Sequence, residues 1–154
     1  MAAMPFRTEP AQAHDLAPAR ELLRRLALPD EGVADHFGNY LVVRDASRLV
    51  GVCGVEIHGA DGLLRSVAVE PDYRHEGIGG LLVAGAKDLA RKLKVESLYL
   101  LTTTAAPFFR RHGFDDWARE KAPAAVQESW EFRSGCPARS TCMRYRPPAQ
   151  AGRG

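Results

Sequence analysis

Cysteine is scarce: three in 154 residues, an odd number, argue against a disulfide framework and fit a reducing compartment such as the cytoplasm. Long apolar runs are missing as well. No stretch approaches the roughly 20 residues that span a bilayer, so a membrane is not an expected partner. The first ten residues lack a basic start followed by an apolar core, so no secretory signal is expected. Neither sign of charge dominates, since 21 basic against 19 acidic side chains leave a formal net charge of +2. Seventeen of the basic residues are arginines, but they are spread along the chain without interleaved aromatics, and nucleic acid is not expected as a partner either. Cys136 and Cys142 are two thiols, too few for a structural zinc site, so no metal is expected.

What is present is the balance of an ordinary globule. Hydrophobic residues make up 45% and charged residues 26%, enough for one core at this length. A single domain is expected over 15–146, between a flexible arm at 1–14 and a flexible tail at 147–154, where Pro, Gly and Ala gather. Leu16, Ala19, Leu22, Leu23 and Leu26 fall on one helical face, with Asp15 as N-cap and Pro18 in the tolerant first turn. Pro29 and Asp30 end that helix and start a short second one through Phe37.

Strand-like runs follow at Tyr40–Arg44, Arg48–His58 and Leu63–Val69, joined by turn residues, which predicts an antiparallel meander. In the second run Val50, Val52, Gly54, Glu56 and His58 share one face. The period then changes. Ile78, Leu81, Leu82, Gly85, Leu89 and Leu93 mark a long amphipathic helix from near Gly77. A strand at Ser97–Thr103, a short helix through Phe108–His112 stopped by Gly113, helical character over Pro123–Arg133 and a last strand at Thr141–Arg146 complete the chain. Strands and helices in this order predict an α/β (mixed α+β) fold, a mixed sheet flanked by helices.

The most informative stretch runs from Val67 to Gly80. It reads as a strand, a proline-bearing turn, then Arg74-His-Glu-Gly77-Ile-Gly79-Gly80 opening a helix. Glycines there let backbone approach a ligand closely, and successive N–H groups point out at the positive end of the helix dipole. Arg74 adds a guanidinium beside this anion cradle. A dinucleotide fingerprint would need glycine at Leu82, and a Walker loop would need Gly-Lys-Ser/Thr where Gly80 is followed by Leu81. Neither fits.

These residues, together with Ala106-Pro-Phe-Phe-Arg-Arg-His-Gly-Phe114 about 30 residues on, resemble the two signatures of the GNAT superfamily of acetyl-CoA-dependent N-acetyltransferases. The resemblance covers about residues 15–146. It implies a central mixed twisted sheet whose two middle strands splay in a V, and acetyl-CoA as cosubstrate. Arg74, His75, Gly77, Ile78, Gly79 and Gly80 would hold the pyrophosphate. The backbone of Val67 and Val69 would take the pantetheine arm like an added strand, and the helix carrying Phe108 and Phe109 would pack by the thiol. Family members are often dimers, and the last strand is a natural interface element.

Transfer to an amine requires a base, an oxyanion donor and a proton for the departing thiolate. Glu56 is the first candidate for the base, set against its reading as a strand-end carboxylate facing water, with His58 second. The amide of Val69 would be the oxyanion donor. Where many members place a tyrosine acid, this chain has Phe108 and Phe109, which leaves water, Tyr99 or Tyr145. Arg65, a cation in an apolar strand, suits a substrate carboxylate, set against a cross-strand ion pair or an outward-facing arginine. Ser66 beside it and Thr102 and Thr103 on the opposite strand offer hydroxyls. The ending Glu131-Phe-x-x-x-Cys136-Pro137…Cys142-Met is similar to a subgroup with short N-acetylglutamate synthases and arsenic-resistance N-acetyltransferases of arsinothricin or phosphinothricin. That resemblance implies a small glutamate-like amino acid as acceptor. A non-catalytic acyl-CoA-binding module is the alternative of a different class.

Overall fold

The computed structural model describes residues 6–135 and 137–148. Its centre is one mixed seven-stranded sheet in the order β1-β2-β3-β4-β5-β7-β6. The strands are β1 (Thr8–Pro10), β2 (Tyr40–Asp45), β3 (Arg48–His58), β4 (Asp61–Val69), β5 (Leu98–Thr102), β6 (Asp115–Asp116) and β7 (Thr141–Tyr145). Every neighbouring pair is antiparallel except β4 and β5. Thr8–Pro10, expected within a loose arm, instead pairs along β2, because β2 would otherwise present an open edge of unpaired amides.

Among the described residues four α-helices flank the sheet: α1 (Leu16–Arg25), α2 (Ile78–Lys92), α3 (Ala106–Arg111) and α4 (Ala124–Gln127). The apolar stripe of α2 buries Ile78, Leu82, Val83, Ala86 and Ala90 against Cys53, Val55, Leu64 and Leu98. On the opposite face α1 sets Ala19, Leu22 and Leu23 against Tyr40, Val42 and Val52. A third cluster joins α4 and Phe132 to Leu63 and Tyr99. Clusters of this kind supply most of the stabilisation, roughly 1.5–3 kcal/mol for each large apolar side chain buried.

Several local expectations are corrected. Asp15 does not cap α1 through its side chain; its carboxylate accepts from the amide of Gln12 (2.8 Å) and pairs with Arg44 (2.6 Å). The helix stops at Arg25, before Pro29, and the expected second helix is a 3-10 turn over Ala34–Asn39. Val50 leaves the face it was expected to share with Val52. The β2–β3 register slips between Val43 and Arg44, which makes Val50 the extra residue and turns it into the α2-side core. The helical character of 123–133 resolves into α4 and a π-type turn over Glu131–Gly135. Cys136 and the tail beyond 148 lie outside the described residues.

Candidate active site

Two irregularities open the sheet. The first is the parting of β4 and β5, which pair only at Gly62–Leu98 and Leu63–Tyr99 and diverge beyond. The second is a bulge in β4. Gly54 faces Arg65 and Val52 faces Ala68, so Cys53 alone opposes Ser66 and Val67, with Ser66 in the left-handed region (φ 62°). The result is the V the sequence led us to expect. Between its arms runs a cleft of 1130 Å³, lined on one side by Arg74, His75 and Gly77–Gly80 and on the other by residues 26–31 and by Trp130 and Glu131.

At the first end Gly77 caps α2 with φ 83°, a conformation that favours glycine. The next amides, of Ile78, Gly79 and Gly80, are the N–H groups a helix leaves without internal partners, and among the described residues no carbonyl takes them. Leu81 is the first to bond back, to Gly77 O at 3.1 Å. Arg74 and His75 are exposed beside them. Three free amides on a 15-residue helix with an adjacent guanidinium form a site for phosphate oxygens.

Along the V, Val67 and Val69 line the cleft. Glu70 donates its amide to Val50 O of β3 (2.8 Å), and the alternation of an antiparallel ladder turns the Val69 amide the other way, toward β5 where pairing has ceased. Thr102 and Thr103 line the facing wall, Thr102 with its Oγ1 accepting from the Ala105 amide (3.0 Å). Phe108 stands on the cleft against Gly79, whose added Cβ would lie 3.2 Å from the ring, and Phe109, buried and edge-on to Phe108 with ring centroids 5.1 Å apart, lines the cleft beside it.

The remaining candidates meet in a buried polar cluster. Arg65 has a fully buried side chain. Its Nη1 donates to Glu56 Oε2 (2.8 Å) and Glu31 O (2.7 Å), its Nη2 to Pro29 O (3.1 Å) and its Nε to Ser66 Oγ (3.2 Å). Glu131 Oε2 lies 3.6 Å from the same Nε. Ser66 Oγ also bonds Tyr40 Oη (2.9 Å), and neither Ser66 nor Glu56 lines the cleft. Glu56 has its second oxygen on His58 Nε2 (2.8 Å), while His36 Nε2 lies 3.9 Å from the oxygen that Arg65 holds. Burial disfavours the Glu56 anion, but His58 and Arg65 outweigh it and hold the carboxyl below its ordinary range. So Glu56 does not face water, and Arg65 makes the cross-strand ion pair that its sequence position left open.

Tyr99 packs in the α4-side core and Tyr145 against Phe114 and Lys87; neither lines the cleft. Burial pushes the Cys53 thiol up to about 12 and the Cys142 thiol up to about 11, far from thiolate reactivity at neutral pH. Among the described residues no group of three or more His, Cys, Asp or Glu is placed to hold a metal, and no helix is long and apolar enough to cross a membrane. Sequence reasoning missed Trp130, Glu131, Arg139 and the 26–31 loop as cleft residues. Glu131 had left a trace in the Glu-Phe ending, but no local pattern says that a turn after α4 reaches back to β4.

Residues 36–116, more than half of the chain, match the acetyltransferase (GNAT) domain, and the chain belongs to that family. It is an acyltransferase of the GNAT type. An uncharacterised N-acetyltransferase of Chlorobaculum tepidum is 28% identical over 113 residues, 73% of this chain and 70% of that protein. The amino-acid acetyltransferases of Pseudomonas paraeruginosa and Ectopseudomonas mendocina are 39% and 44% identical over 72 residues, which is 47% of this chain but 17% of theirs. In three dimensions the chain superposes on N-acetylglutamate synthase from Neisseria gonorrhoeae, complexed with coenzyme A and N-acetyl-glutamate. The TM-score is 0.82 at 21% identity, over 96% of this chain and 36% of that one. That likeness is one of fold.

Proposed function

We propose that this protein transfers the acetyl group of acetyl-CoA to the α-amine of a small, acidic, glutamate-like amino acid. One observation carries the reading: a single cleft runs from the free amides at the start of α2, past the outward amide of Val69, to a polar opening on the opposite face of the sheet. The α2 end suits a pyrophosphate, with Arg74 and His75 flanking it and the Gly77–Gly80 amides bonding its oxygens. The open edge of β4 suits an extended pantetheine arm, added like a strand through Val67 and Val69. The Val69 amide, at the point where the strands part, is placed to bond the oxyanion as the tetrahedral intermediate forms.

The acceptor side is drawn from the relatives: two are amino-acid acetyltransferases, and the gonococcal synthase was solved with N-acetyl-glutamate. Because Arg65 is consumed by Glu56 and main-chain carbonyls, the exposed Arg139 on the same cleft is the cation left to receive a substrate carboxylate. Thr102 and Thr103 offer hydroxyls along the wall. Ser66 serves from behind, fixing the bulge through Tyr40 and Arg65. With phenyl rings at 108 and 109 and, among the described residues, Tyr73 as the one tyrosine on the cleft, next to Arg74 and with its hydroxyl donated to Asp45 (2.6 Å), water protonates the departing thiolate.

The test is a CoA-release assay with purified protein, acetyl-CoA and a panel of amines. Glutamate, arsinothricin and phosphinothricin share the amine and α-carboxylate and differ in the acidic head, so all three belong in the panel. Release with acidic amino acids, and not with polyamines or peptide N-termini, is the expected result. Tight CoA binding without release on any amine would favour an acyl-CoA-binding module instead.

A further inference from the structure

The reaction needs a base within reach of the acceptor amine, since only a neutral amine attacks a thioester. Glu56 does not meet that need: both its oxygens are engaged, and it sits behind Arg65 rather than on the cleft. Among the described residues three carboxylates line the cleft, Asp30, Glu31 and Glu131. Asp30 is tied to Arg20 and Arg24, and Glu31 is exposed, its carbonyl taken by Arg65. Glu131 alone of these is buried, with 5% of its surface exposed.

Resting on the functional reading above, we propose that Glu131 is the catalytic base, receiving the acceptor ammonium on the face of the sheet opposite α2. Its position is fixed from both sides. Phe132, next in sequence, is buried against Leu63, Tyr99 and Val126; its amide donates to Ser129 Oγ (3.3 Å) and its carbonyl accepts from Arg119 (2.8 Å). Trp130, just before, lies with its ring 6.0 Å from the Arg65 guanidinium. Glu131 is thus held between packed neighbours, with Arg65 of β4 beside it and Tyr40 of β2 and Glu56 of β3 behind that guanidinium. Among the described residues Asp30, Glu31 and Arg139 are the further charged groups on its part of the cleft.

The step balances as follows. The ammonium gives one proton to the Glu131 carboxylate, and the freed lone pair attacks the thioester carbon of acetyl-CoA. The new C–N bond forms and the C–S bond breaks. The second nitrogen proton reaches the thiolate through water, and Glu131 returns its proton to solvent.

The experiment is steady-state kinetics of E131Q against wild type, with whichever amine the wild type acetylates and with acetyl-CoA affinity measured by calorimetry. The expected result is a kcat lower by about 100-fold or more, loss of the acid limb of the kcat–pH profile, and unchanged acetyl-CoA affinity. Added formate should restore turnover to E131A, which a purely structural role would not allow. A kcat within about threefold of wild type, or a slow E131Q with its acid limb intact, overturns the assignment. Should E131Q fail to bind acetyl-CoA, E131D carries the test: it retains a carboxylate and must retain the limb at reduced kcat, and its absence there also overturns the assignment. A wild type that acetylates no amine strikes the functional reading itself, whereas an active wild type with an indifferent E131Q strikes only this one.

Discussion

Two arginines that the sequence singled out as candidate anion binders have opposite fates. Arg65 is buried with its donors spent on Glu56, Ser66 and two carbonyls, while Arg74 is exposed beside open amides. Removing Arg65 leaves the buried Glu56 carboxylate with only the imidazoles of His58 and His36, and breaking a buried pair in this way costs about 3–5 kcal/mol. R65A is therefore expected to show a large drop in thermal midpoint by calorimetry, ahead of any effect on kinetics. R74A should leave that midpoint unchanged and weaken acetyl-CoA binding by about tenfold, the worth of one charge-assisted hydrogen bond of roughly 1.5 kcal/mol. Equal affinity in R74A would remove the phosphate role from this loop. The apolar frame around Arg65 was readable from sequence, but its partners were not. Pro29 and Glu31 lie more than 30 residues away, and a loop that folds back to present carbonyls leaves no periodic signal.

At the scale of elements, the strands and helices that carry function were legible because their side-chain periods are strong. The meander over residues 40–69, α2 and the glycine start of α2 fall where alternation, helical spacing and turn chemistry put them. The bulges were not legible, since a register shift is decided by what the neighbouring strand must pack rather than by the bulged residues themselves. The β4 bulge is nonetheless what aims Arg65 and Ser66. It depends on Gly54, opposite Arg65, over which the Tyr40 ring lies so closely that an added Cβ would stand 2.1 Å from it. G54A must push Tyr40 aside and break its bond to Ser66. A loss of about 1–3 kcal/mol, typical of overpacking, is expected in urea unfolding, together with a raised KM for the amine. An unaltered KM in a destabilised G54A would show that the bulge does not position the acceptor.

The whole molecule joins these pieces through ion pairs that cross its layers, and their protonation sets how stability varies with pH. Glu56 is held low by His58 and Arg65 against the cost of its burial, and Glu70 is held low by its hydrogen bonds from Arg25, which tie the end of α1 to the start of the phosphate turn. For Asp30, burial raises the carboxyl but Arg20 and Arg24 more than reverse it. A carboxyl whose folded pKa lies below its unfolded value, near 4.3 for Glu and 3.9 for Asp, binds its proton more readily in the unfolded chain. Stability from these pairs is therefore full above about pH 5 and is lost as pH falls through the folded values. Asp61, raised by burial and by Glu96, runs the other way and offsets part of the loss. Urea midpoints measured from pH 7 to pH 3 should stay level to about pH 5 and then fall steeply. The fall should be shallower in E70Q, which has one titrating partner fewer and is already weaker at pH 7. Acetyl-CoA at 100 times its dissociation constant adds about 2.7 kcal/mol to the folded state by mass action. That increment should survive in E70Q, whose pair lies outside the cleft lining, and a loss of protection there would mean that the Arg25–Glu70 link shapes the phosphate turn itself.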